Sequence, residues 1–260
     1  MKAYMADVWR FRHFWLSLVR MDLQARYRRS VLGIGWSLLH PIATTVVLCA
    51  VFYQIFHMPV REYLPFLMAG LAWWGYVTGV IGRGCQCFVE AESYIRQHPV
   101  PMAVYPLRTA LGAMIHFLIA LAVVLLLTWC FQGFANLAAL PAVLIGLMIL
   151  LVFGWAAGVV AGYVNTIFRD IQHLTDIVFQ ILFYLTPVMY PPDILVRSNM
   201  TWVLTINPLT HLLKIVRDPL IAGTIPSVRA YGAAAATTLL LVGVAALLLG
   251  RLQRKVILYL

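Results

Sequence analysis

Apolar residues in this chain run in blocks of about 20, the length a helix needs to cross a bilayer, and polar residues collect between the blocks. Six blocks qualify: roughly Trp36–Phe56, Tyr63–Gly82, Thr109–Phe131, Ala142–Tyr163, Leu174–Tyr190 and Tyr231–Gly250. The third and fourth are the clearest. The fifth is the weakest, being short and carrying Asp176 and Gln180. The pattern predicts an all-α integral membrane protein with six transmembrane helices, organised as a single transmembrane domain over residues 1–260.

Three segments depart from that pattern. Over residues 7–29 the period is helical and two-faced. Val8, Phe11, Trp15, Leu18, Val19 and Leu23 gather on one side, and Arg10, His13, Ser17, Arg20, Gln24 and Arg28 on the other, with Arg12 as the exception. Such a helix lies in a membrane interface with its arginines toward phosphates and cytosol. Residues 90–101, EAESYIRQHPVP, read as a short charged helix with Tyr94 and Ile95 at its centre. It ends at Pro99, since proline disfavours helical geometry in the residue before it. Between Pro191 and Ala230 the apolar stretches are too short to cross and are broken by Pro208 and Pro219, which predicts re-entrant or surface-lying helices sheltered by protein.

Composition supports a lipid environment. Of 260 residues, 63% are hydrophobic and 11% charged, where a soluble domain carries about 25% charged; mean hydropathy is +0.89. The net charge of +10 is not spread over a water-facing surface, as in a nucleic-acid binder, but sits beside apolar runs. Residues 1–35, the second-to-third connection, the fourth-to-fifth connection and the C-terminus hold 7, 3, 1 and 3 of the 19 Lys and Arg residues; the opposite connections hold 1, 0 and 4. The positive-inside bias therefore places both termini in the cytoplasm.

Enzyme signals are poor. There is no G-x-S-x-G, no H-E-x-x-H and no paired Cys/His spacing. The lysines are Lys2, Lys214 and Lys255, none of them after a glycine, so a phosphate-binding loop is missing and any energy must come from a partner or an ion gradient. Cys49 and Cys130 fall in or beside apolar runs, and Cys85-x-Cys87 has no second pair for a metal. Ionisable groups inside spans invite a functional reading because they are costly in lipid. Two of them are His40, beside Pro41, and Asp176, for which a structural pairing with Arg169 is at least as good a role. Spacing of four puts Asp176, Gln180 and Tyr184 on one helix face. Aromatics reach 13%, many at span ends as interfacial belts. Phe52, Tyr53, Phe56, Trp73, Trp74, Tyr76, Phe183 and Tyr184 lie within spans and suit sugar rings, which are apolar on one face and polar at the edge.

Four stretches in order, RYRRSVLGIGWSLLHP, ESYIRQHPVP, FRDIQHLTDIVFQILFYLTPVMYPP and NPLTHLLKIVRDPL, resemble the permease subunits of ABC exporters for lipid-linked polysaccharides (O-antigen, capsule and teichoic acid). The resemblance runs from about residue 10 to the C-terminus. It implies a homodimer of six-span subunits in the bacterial inner membrane, joined to two copies of a cytosolic ATPase that holds the ATP and Mg. The chain itself is then no enzyme and binds no cofactor directly. Residues 7–30 become an interface or gate helix, with Arg26, Arg28 and Arg29 candidates for the pyrophosphate of an undecaprenyl-linked polymer. Glu90, Glu92, Ser93, Tyr94, Arg96, Gln97, His98 and Pro99 become the ATPase-coupling segment. Spans one and five, within residues 36–190, line a channel, with His40, Phe52, Tyr53, Phe56, Trp73, Trp74, Gln180 and Tyr184 as candidate lining. Residues 191–230 become two short helices capping the periplasmic side before span six at 231–250. O-antigen of lipopolysaccharide is the leading cargo. An ABC permease for a drug or small lipid, a membrane-embedded acyl- or glycosyltransferase using His40 or Asp176, and a proton-driven carrier are the other readings.

Overall fold

The computed structural model describes residues 2–28, 30, 33, 35–97, 100–133 and 139–256, and the side chains of these other than 2, 3, 5, 27 and 252–256. Among them are twelve helices: α1 (Lys2–Arg10), α2 (Arg12–Tyr27), α3 (Gly35–Phe52), α4 (Val60–Gln86), α5 (Glu92–Gln97), α6 (Val104–Gln132), α7 (Leu140–Ile167), α8 (Ile171–Leu185), α9 (Asp193–Arg197), α10 (Thr201–Ile206), α11 (Pro208–Ile221) and α12 (Val228–Val256). Five of these, α3, α4, α6, α7 and α12, are long and apolar enough to cross a membrane. The protein is therefore an all-α, multi-pass membrane protein.

The core is built by α4, α6 and α7. Their crossing relies on glycine where backbones meet: a Cβ on Gly84 would stand 2.8 Å from the Cα of Gly158. Such small-residue contacts let helices approach closely in lipid, where packing and not water exclusion drives association. The Tyr76 hydroxyl donates to the Leu150 carbonyl at 3.0 Å, and Asn165 Nδ2 to the Cys85 carbonyl at 2.9 Å. These contacts pair the same ends of α4 and α7, so the two run parallel. Tyr231, near the start of α12, donates to the carbonyl of Ala142, near the start of α7, and α12 runs parallel to both.

These pairings define two ends of the bundle. The terminal end carries α1, α2, the C-termini of α4, α7 and α12, and the start of α6. The capped end carries the end of α3, the starts of α4, α7 and α12, and α9 to α11. Helix α8 begins at the terminal end, where Gln86 hydrogen-bonds Gln172. The turn after it reaches the capped end, where Tyr63 donates to the Met189 carbonyl at 2.8 Å. At 15 residues, or about 22 Å, α8 is shorter than the roughly 30 Å hydrocarbon layer. The segment Thr186–Tyr190 continues along α4 toward the capped end, where Gly70 leaves room for the Val188 carbonyl.

The structure corrects several boundaries. The amphipathic N-terminal segment is two helices, broken at Phe11. The first long helix stops at Phe52, and the chain turns through His57, whose φ is +53°. Three helices, not two, precede α12. Pro208 opens α11 behind an Asn207 cap whose side chain accepts from the Leu209 N–H at 3.0 Å. Pro219 lies inside α11 without ending it.

A polar path from the arginine cluster to the aromatic face

Helix α2 packs along α6 rather than lying free. Leu18 and Val19 are buried, and Val8, Phe11, Trp15 and Leu23 are half-buried, while all six residues of the polar face are exposed. Trp15 Nε1 donates to the Val8 carbonyl at 3.2 Å across the break. The Tyr4 hydroxyl accepts from the Ala103 N–H at 3.1 Å, and burial pushes its pKa above the ordinary value. Asp22 of α2 forms an ion pair with Arg108 at the start of α6.

Beside that pair lies a polar cavity of about 320 Å³, lined by Arg26, Arg83, Arg108, Asp22, Glu90 and His116 among others. Arg26, Arg83 and His116 also line a second cavity of about 430 Å³ that opens against α3 at His40, Pro41 and Thr44 and reaches Trp74 and Thr78. Trp74 and Thr78 in turn wall a third, of about 300 Å³, with Asp176, Phe179, Gln180, Phe183 and Tyr184 of α8. Shared walls thus join a basic cluster at the terminal end to an aromatic group deep along α4 and α8. Trp74 meets Phe179 and Phe183 edge to face at 5.7 and 5.5 Å, and Phe183 meets Tyr184 at 5.5 Å.

The predicted residues divide between this path and other places. Arg26, His40, Trp74, Gln180 and Tyr184 stand in its walls. Arg28 ends α2 and is in neither arginine-lined wall. Arg29, His98 and Pro99 lie outside the described residues. Trp73 is corrected: at 1% exposure it belongs to the core, because a step of about 100° around the helix separates it from Trp74. Phe52, Tyr53 and Phe56 gather at the capped end around Cys49, Tyr63 and Leu67, Phe52 stacked on Phe56 at 5.6 Å, apart from the three cavities. Asp176 makes no ion pair with Arg169 among the described residues; it is exposed in the wall of the third cavity.

In the segment predicted to couple to an ATPase, Ile95 and Ala91 are buried, and Arg96 Nε donates to Glu92 Oε1 at 2.8 Å on the exposed side. Tyr94 is not a free knob: its half-buried ring packs edge to face on Phe14 of α2, centroids 6.3 Å apart. The open face of α5 is Ser93, Arg96 and Gln97, with Glu90 turned to the arginine-lined cavity. Sequence reasoning missed Asp22, Arg83, Arg108 and His116. A lone histidine inside the predicted third span was a usable signal for the last.

A multi-pass helical bundle with neighbouring polar cavities leading from one end into its membrane-embedded part suits a transport subunit. The sequence model of the family described as ABC-2 type transporter matches residues 13–221, and the chain belongs to that family. An O-antigen export system permease protein RfbA of Klebsiella pneumoniae is 25% identical over 211 residues, 80% of each chain. One of that name from Myxococcus xanthus is 26% identical over 210 residues, again 80% of each. The polysialic acid transport protein KpsM of Escherichia coli is 21% identical over 212 residues, 80% of this chain and 81% of its own.

Proposed function

We propose that this chain is the channel-forming subunit of an ATP-driven exporter that moves undecaprenyl-linked polysaccharide, with the O-antigen of lipopolysaccharide as cargo, from the cytoplasm to the periplasm across the bacterial inner membrane. The single observation that carries the reading is the succession of three cavities with shared walls. Arginines fit a pyrophosphate head through planar, forked donors, and the aromatic stretch beyond them fits sugar rings. The export relatives named above agree with that chemistry.

In this reading Arg26 and Arg83, beside His116, receive the lipid pyrophosphate, and α2 gates access to it. The path is open along α8, none of whose residues is buried, and along α3, which buries only Thr45 and Cys49. A carboxylate, an amide and a phenol on one face of α8 are costly toward lipid. A second copy of the chain facing α3 and α8 closes the path into a channel, with α8 and Thr186–Tyr190 as the sixth crossing. The bias of Lys and Arg toward the terminal end puts both termini in the cytoplasm. There α5 docks one of two ATPase subunits, which hold ATP and Mg; this chain supplies no nucleotide site.

The test is extraction of the tagged chain from its native membranes. A P-loop ATPase recovered at one-to-one stoichiometry, and lost with Arg96→Glu, is the expected result. A chain that purifies alone from cells expressing its neighbours overturns the reading.

A further inference from the structure

The capped end holds a second basic cavity, of about 370 Å³, which none of the transport path uses. Its wall draws on α11 (Thr210, His211, Lys214, Arg217), on Asp218 beside them, and on Arg229 at the start of α12. Three cations face one carboxylate. The most telling of them is Arg217, only 6% exposed. Its guanidinium is held in place by stacking at 4.1 Å on Phe66 and by donating Nη1 to the Pro187 carbonyl at 2.7 Å. Neither partner is anionic, and Arg217 makes no ion pair with Asp218 among the described residues. Asp218 beside it is one carboxylate against Lys214, Arg217 and Arg229, so the wall keeps an excess of positive charge that is costly to bury unless an anion joins it.

Two further features of the same wall ask for an anion with hydrogen-bonding oxygens. Thr210, 8% exposed, has a buried hydroxyl without a partner, and buried polar groups are as a rule satisfied. Ser227 caps α12, its hydroxyl accepting from the Ala230 N–H at 3.4 Å. The cavity therefore meets the N-terminus of a 29-residue helix, where the backbone dipole favours negative charge. Fixed guanidinium, mobile ammonium, hydroxyl and helix N-terminus together match the several oxygens and the charge of a phosphoryl group.

We propose that this cavity is a phosphoryl-anion site, occupied in the transport cycle by the pyrophosphate head of the lipid-linked glycan once it reaches the capped end. The identity of the lipid rests on the export reading; the anion site does not. It gives the headgroup a landing place at the exit, opposite the arginine cluster at the entrance, so that the charged end need not linger among the aromatics between them.

The chain has three lysines, Lys2, Lys214 and Lys255, which makes amine acetylation a clean probe. The full chain in phosphatidylcholine nanodiscs is treated with an acetyl succinimidyl ester, and the rate at each lysine is read by mass spectrometry. Inorganic pyrophosphate at roughly ten times its dissociation constant should slow Lys214 about tenfold. Lys2 and Lys255 should be unaffected, as should Lys214 in sodium chloride of equal ionic strength. Arg229→Gln, at an exposed position, should remove most of the protection.

Farnesyl pyrophosphate placed in the disc decides the source. Protection by it as well supports the lipid head; protection by inorganic pyrophosphate alone keeps the anion site and overturns the lipid assignment. No protection by either, equal slowing by sodium chloride, or protection unchanged in Arg229→Gln overturns the site. The measurement needs no ATPase, so its failure is separable from failure of the export reading.

Discussion

Asp22 on α2 and Arg108 at the start of α6 form a two-pronged ion pair, in which Nε and Nη2 of the arginine both donate to the carboxylate. It pins α2 at the rim of the arginine-lined cavity, and Glu90 stands in the same wall. The Asp22 side chain is 41% exposed and that of Arg108 20%, so solvent screens the pair, and its loss costs about 1 kcal/mol or less of stability. The larger effect is local. Asp22→Asn should speed hydrogen exchange across residues 12–27 while α6 stays protected. Unchanged exchange in α2 would show that Leu18 and Val19 alone hold the helix down.

The crossing of α4 and α7 gives a second prediction. A side chain on Gly84 meets the Gly158 backbone at 2.8 Å, and backbone cannot step aside as a flexible side chain can. Gly84→Val should destabilise the bundle by about 1–3 kcal/mol, read as a lower melting temperature in detergent. Gly82, two residues away with nothing within 4 Å, is the control: Gly82→Ala should leave melting unchanged or raise it slightly.

Those two glycines also mark the limit of what the sequence reveals. The apolar blocks of α6 and α7 are legible because lipid demands apolar side chains all round, and the two faces of α2 because water on one side imposes a 3.6-residue period. Within a fully apolar helix neither signal operates. Trp73 and Trp74, or Gly82 and Gly84, differ only in which neighbour they meet, and tertiary packing decides that. The Asp22–Arg108 pair joins residues 86 apart, and no local pattern announces it. The break at Phe11 involves no glycine or proline, so it was equally silent. Asp176, Gln180 and Tyr184, by contrast, were readable as a stripe because polar residues four apart in an apolar span are costly toward lipid.

Along the path, the aromatic wall should matter to cargo more than to folding. Tyr184 is 64% exposed and contributes little to the core. Tyr184→Ala should leave protein level and melting intact while reducing surface display of long glycan several-fold, as the loss of about 1 kcal/mol of ring stacking implies. Leu239→Ala, on the exposed face of α12, should change neither. Equal display in the two variants would remove Tyr184 from the path.

The α5 segment separates docking from transmission. Ser93, Arg96 and Gln97 form its open face, whereas Tyr94 leans on Phe14 of α2, and α2 in turn is tied to α6 by Asp22 and Arg108. A push on α5 therefore has a short mechanical route through Tyr94 to α2 and the arginine-lined cavity. Arg96→Glu reverses a charge on the open face, and it should weaken ATPase binding by about tenfold while the fold is kept. Tyr94→Ala removes the contact to α2 instead; it should leave the ATPase bound and hydrolysing while glycan export falls. The two effects are read side by side, by co-purification and by surface glycan display normalised to ATP turnover. If Tyr94→Ala instead releases the ATPase as fully as Arg96→Glu does, the ring belongs to the docking face, and the route from α5 to α2 is not the one that carries the stroke.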